Sequence, residues 1–132
     1  MTATDAEELI YNVMKDKGYT IYRWGAVPSQ YVNTEHLVVK ASAQSQGRMW
    51  DTITVYVLGY VPDLAKGVAD ISSISAMEKK IAEPYLHKPQ STKAGTQLVS
   101  FYAEQENRQP ESDIDCQLVS VMFYVKFKNF KF

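Results

Sequence analysis

The chain is poor in the residues that usually carry chemistry: in 132 residues it has one cysteine, Cys116, and two histidines, His36 and His87. A single thiol cannot close an internal disulfide, and no basic-plus-apolar leader opens the chain, so synthesis in a reducing cytoplasm is expected rather than secretion. None of the three stands at ligand spacing from another, so no metal and no other cofactor is expected. The glycines are isolated, at positions 18, 25, 47, 59, 67 and 95. They form neither a phosphate-cradling loop nor a nucleophile elbow and read as backbone punctuation, so no catalytic residues are singled out and an enzyme is not expected. Charge of one sign is also lacking: the formal net charge is -1, which gives no general attraction to nucleic acid or to an anionic membrane. No sequence-specific nucleic-acid binding is expected. Apolar runs fall well short of the about 20 residues that span a bilayer, so no membrane partner is expected either.

What the chain does have is hydrophobic pattern. With 45% hydrophobic residues it can bury one core and is expected to form a single domain over residues 1–132. The organising stretch is 50–63, WDTITVYVLGYVPD. There Ile53, Val55 and Val57 alternate with Thr52, Thr54, Tyr56 and Leu58, the period of a strand, which Gly59 is expected to break before Pro62-Asp63 turns the chain. Ahead of it, Ala6, Leu9, Ile10, Val13 and Met14 repeat at helical spacing behind a capping box assigned to Thr4 and Glu7, with Gly18 closing the helix. Short strands follow at 19–24 and 35–43, the second turning at 44–47 to pair with the 50–63 strand as a hairpin. A second helix is predicted over 68–83, ended by Pro84. Residues 87–95 read as loop, and 96–104 and 114–128 as the arms of a long hairpin. The fold class is α+β: a mainly antiparallel sheet of four to five strands with two helices packed on one face, in the order α-β-β-β-α-β-β. Its core is expected to hold Leu9, Ile10, Val13, Ile53, Val55, Val57, Ile74, Ile81, Val121 and Phe123.

Two charged stretches stand out. Residues 104–115 carry Glu104, Glu106, Glu111, Asp113 and Asp115 against Arg108; paired carboxylates in a cleft can bind a cation or move protons, but a solvated acidic turn is the commoner outcome. The tail KFKNFKF mixes Phe127, Phe130 and Phe132 with Lys126, Lys128 and Lys131, which suits single-stranded nucleic acid or, more simply, the end of an amphipathic strand. A sheet with both helices on one face leaves Tyr56, Leu58, Leu118, Met122 and Tyr124 on the other. With Glu111 and Asp113 they form a candidate assembly surface.

The strand entering a PD turn (TVYVLGYVPD, residues 54–63), the helix after it and the closing VSVMFYVKFKNFKF together resemble the tail terminator or tail completion proteins of long-tailed bacteriophages, minor tail proteins often encoded by prophages. The resemblance covers nearly the whole chain. It implies a virion structural protein, made in the bacterial cytoplasm and located in the virion tail. Such proteins form cyclic homo-oligomers, typically hexameric rings, that cap the tail tube and meet the head connector, and they offer no catalytic residues to carry over. The alternative is a stand-alone α+β domain, as a monomer or a dimer, that binds an unidentified ligand.

Overall fold

The computed structural model describes residues 1–47, 49–95 and 97–128. Its elements are α1 (Ala3–Met14), β1 (Thr20–Arg23), β2 (His36–Gln46), β3 (Trp50–Pro62), α2 (Ile71–Ile81), β4 (Gln90–Ala94), β5 (Gln97–Glu111) and β6 (Cys116–Lys128). The fold is mixed α+β, and the sheet has six strands rather than four to five, in the spatial order β1-β2-β3-β6-β5-β4. Only β1 and β2 run parallel. The added strand is β4, which falls in the segment expected to be loop. Its polar sequence QSTKA reflects an edge position, paired only with β5 and mostly exposed, rather than an absence of strand.

Helix α1 starts two residues earlier than expected. The Thr2 hydroxyl accepts from the Asp5 amide at 3.1 Å and the Asp5 carboxylate accepts from the Thr2 amide at 2.8 Å, so the capping box is Thr2/Asp5 and not Thr4/Glu7. These bonds to Thr2 hold the Asp5 carboxyl below its ordinary pKa. Glu7 is engaged elsewhere: it takes Arg23 Nε at 2.7 Å and the Ala41 amide at 3.1 Å. Ala41 has that amide to give because it turns to the β1 side of β2, as Val39 does in accepting from the Trp24 amide, and β1 pairs β2 only as far as Val39. Strand β2 bulges between Ala41 and Gln44, then pairs with β3 again and runs on to Gln46, through most of the turn expected at 44–47. Helix α2 begins at Ile71, after the Asp70 side chain caps the Ser73 amide at 3.2 Å, and it ends at Ile81, ahead of Pro84.

Strand β3 does not stop at Gly59. It continues to Pro62, paired residue by residue with β6 down to Cys116. The odd-numbered residues of β3 and β6 face both helices. Ile53, Val55, Val57, Val121, Phe123 and Val125 form one fully buried cluster with Ala6, Ile10 and Met14 of α1 and Ile74, Met77 and Ile81 of α2. Of the expected core, Leu9 and Val13 are only half-buried, packed on the cluster's edge. Each fully buried valine, isoleucine or phenylalanine contributes roughly 1.5–3 kcal/mol, so this one layer dominates stability.

Strand β5 runs straight through most of the acidic stretch. The turn is confined to Ser112–Ile114 and Asp115, whose φ of 51° places it in the left-handed region. Pro110 is tolerated because β4 pairs β5 only as far as Phe101, so the missing N–H faces an open edge. Within the tail, Lys126, Phe127 and Lys128 belong to β6, Phe127 buried and Lys128 exposed, as an amphipathic strand requires. Phe130, Lys131 and Phe132 lie outside the described residues.

Candidate assembly face

Because side chains alternate along a strand, the even-numbered residues of β3 and β6 point away from both helices. Tyr56 stands opposite Met122, Thr54 opposite Tyr124, Leu58 opposite Ser120 and Tyr60 opposite Leu118. Tyr56, Leu58, Met122 and Tyr124 therefore share a partly exposed, helix-free face. Leu118 lies on the same face but is buried, 7% exposed. Tyr102 of β5 meets Tyr124 edge-on at 5.8 Å, and Lys126 Nζ lies 5.5 Å from the Tyr102 ring centre.

The acidic residues are divided by a second irregularity. Pairing of β5 with β6 slips between Ala103 and Gln105, so from Glu104 onward the faces exchange: Gln105 now opposes Met122, and Glu106 opposes the core-facing Val121. Glu106 is thereby turned toward α2, where burial first and then Glu78 raise its carboxyl pKa to about 7. Glu111 and Asp113 stay with the turn, at one end of the helix-free face, beside Asp63 and Asp115; the Asp63 amide donates to the Asp115 carbonyl at 2.8 Å. At their centre Cys116 is buried, its thiol bonded to the Ile114 carbonyl at 3.4 Å. Burial first, then Asp63, Asp115 and Glu111, push that thiol up to about 11, so it remains a neutral thiol rather than a nucleophile.

Next to this acidic end lies a groove of about 420 Å³ that the sequence pattern did not disclose, lined by Trp24, Val27, Val32, His36, Tyr60 and Ile114. It exists because β1 and β2 are parallel. The chain leaving Arg23 must return the length of the strand before His36, and this crossover, with its single turn Ser29–Tyr31, passes over the helix-free side. His36 is 2% exposed, stacked on Tyr60 at 4.7 Å and met edge-on by Tyr22 at 5.8 Å. Its Nδ1 lies 2.6 Å from the Thr34 carbonyl, which can only accept, so Nδ1 carries the proton and Nε2 of the neutral ring is an acceptor. Burial, followed by Glu111 and Cys116, raises the Tyr60 pKa. Lys40 Nζ stands 4.1 Å from the ring centre of the exposed Trp24.

Two further grooves lie on the helix side. One, of about 610 Å³, runs between α1 (Asp5, Glu8, Asn12) and the β4–β5 turn (Lys93, Gly95, Gln97). The other, of about 500 Å³, holds Glu78, Lys79, Glu83, Lys88 and Glu106. Among the described residues no group of three or more His, Cys, Asp or Glu is placed to hold a metal ion, and no helix is long and apolar enough to cross a membrane. His87 is exposed, far in character from the buried His36. No family model matches the chain, and no curated protein is similar to it.

Proposed function

We propose that this protein is a structural subunit that assembles head-to-tail into a ring, and that the ring is the terminator of a long bacteriophage tail, six copies closing the tube and offering a surface to the head connector. The observation that carries the proposal is the helix-free face. It presents Tyr56, Leu58, Met122, Tyr124 and Tyr102 on strands of 13 and 15 residues, with both helices committed to the opposite side. A small domain gains by covering such a face with a neighbour, and a head-to-tail neighbour also covers open edges such as the outer half of β5. The acidic turn with Glu111 and Asp113 belongs at the rim or lumen of that ring.

The experiment adds purified protein to tail tubes made without it and images the tube tips. Rings are expected at one end of each tube, and a Glu111→Lys, Asp113→Lys variant is expected to lose or alter that binding. Failure of the unmodified protein to bind any tube end sinks the proposal. A second reading, a stand-alone ligand-binding domain, is favoured by the Trp24/His36/Tyr60 groove, whose volume of about 420 Å³ falls within the range of small-molecule sites.

A further inference from the structure

The two ends of the helix-free face are unlike in a complementary way. At one end the β2–β3 hairpin tip exposes Met49 (59%) and Trp50 (42%), large apolar side chains where a hairpin tip is normally polar. Trp50 shares the even register of the helix-free face and stands opposite Lys128, with Lys126 opposite Thr52. This end is basic. At the other end lies the Trp24/His36/Tyr60 groove, which meets at Ile114 the turn that holds Glu111, Asp113 and Asp115, with Asp63 bonded to Asp115; the charges of Asp63, Asp115 and Glu111 act on Cys116, and that of Glu111 on Tyr60. This end is acidic. Inside the groove, His36 is fixed by its Nδ1–H bond to the Thr34 carbonyl, which leaves Nε2 of the neutral ring as the nitrogen that can accept from a second group. An acceptor at the wall of an aromatic groove suits a flat apolar group carrying one N–H, and an indole is such a group.

We propose that Trp50 of one copy seats in the groove of the next, its indole N–H donated to Nε2 of His36 while lysines of the tip face the neighbour's acids. This contact deepens the ring proposal and rests on it. A copy cannot fill its own groove: Tyr60 lies ten residues beyond Trp50 along the same strand, roughly 34 Å away. Tip and groove are different patches on opposite ends, so the contact is heterologous and propagates head-to-tail, as ring closure requires.

The test is sedimentation of the full-length protein up to about 1 mM, the weak end of specific association. Three variants are compared with the parent: Trp50→Ala, which strips the tip; Trp50→Phe, which keeps a ring but not the N–H; and Val32→Trp, which fills the groove from the crossover loop. The parent is expected to self-associate, and Trp50→Ala and Val32→Trp each to weaken this by roughly 30-fold or more, the effect of truncating a buried aromatic anchor. Trp50→Phe is expected to fall between parent and Trp50→Ala. Mixing Trp50→Ala with Val32→Trp is expected to restore a 1:1 dimer and nothing larger, since one supplies an open groove and the other an intact tip. Excess indole is expected to compete with parent association. The contact is overturned if the parent stays monomeric, if Trp50→Ala associates like the parent, or if the mixture fails to pair; indole binding to a parent that stays monomeric would make the groove a small-molecule site instead. Trp50→Phe matching the parent overturns the N–H to Nε2 bond. A parent that is monomeric yet still rings tube ends overturns this contact alone and leaves the ring proposal standing.

Discussion

At position 59 the sheet has room for hydrogen and nothing more. A methyl group there would press on Met77 Sδ and come within 3.3 Å of Leu37 Cδ2 and 3.4 Å of Ile81 Cδ1, so glycine is what lets α2 lie against β3. The Gly59→Ala protein is expected to lose about 1–3 kcal/mol in urea unfolding, the usual cost of overpacking. Because the worst contact is a flexible thioether, adding Met77→Ala should cost less on the Gly59→Ala background than alone. Equal costs would mean that Met77 is not the obstacle. Glu106 supplies a second residue-scale prediction. Its folded pKa of about 7 lies above its ordinary 4.5, so the native state holds the extra proton between those values. The stabilisation is fully present below pH 4.5 and is lost as pH rises through 7. Glu106→Gln, which mimics the protonated form beside Glu78, Lys79, Glu83 and Lys88, should therefore match the parent near pH 4.5 and exceed it in urea midpoint near pH 8. A variant with the same pH dependence as the parent would show that another group titrates.

At the scale of elements, α2 depends on its first turn. Asp70 accepts from both the amide and the hydroxyl of Ser73, at 3.2 and 2.7 Å, in a helix whose interior serines propagate it poorly. Asp70→Ala should cost about 1 kcal/mol of folding stability by urea titration, and Asp70→Asn much less. Elements that bury one face at a constant period were legible in the sequence: α1, β3 and β6 follow from Ile10 and Met14, from Ile53, Val55 and Val57, and from Val121, Phe123 and Val125. What escaped lacks that signature. Strand β4 is polar because it is an edge, and the outer half of β5 is polar because, among the described residues, no strand pairs beyond it. Gly59 looks like a breaker along the chain and becomes a packing residue only once α2 is laid across it. The candidate face followed from alternation, as Tyr56, Leu58, Met122 and Tyr124 show. The groove did not, because Trp24, His36 and Tyr60 are brought together by a parallel crossover that no local pattern announces.

For the whole molecule, the sheet acts as a lever with unlike ends. Antiparallel pairing puts the start of β3 beside the end of β6, which gathers Trp50, Lys126 and Lys128 at one end, while Asp63, Glu111, Asp113 and Asp115 gather at the other. The chain's net charge of -1 conceals this separation. In the proposed ring, copies arranged head-to-tail bring opposite charges together, whereas head-to-head or tail-to-tail pairing sets like charges face to face, so the charge pattern supports the propagating arrangement over the others. Surface charges of this kind act over about 10 Å at 0.1 M salt and about 3 Å at 1 M, while burial of Trp50 is hardly weakened by sodium chloride. Association, whether in free solution or at a tube end, should therefore slow and weaken as sodium chloride rises from about 50 to about 500 mM, mainly through the on-rate. Stopped-flow light scattering with tail tubes at the two salts measures it. The Glu111→Lys, Asp113→Lys variant should be slower at low salt and gain rate as salt is added. Identical rates at both salts for the parent would show that the charged ends do not meet, and that the aromatic face alone brings the copies together.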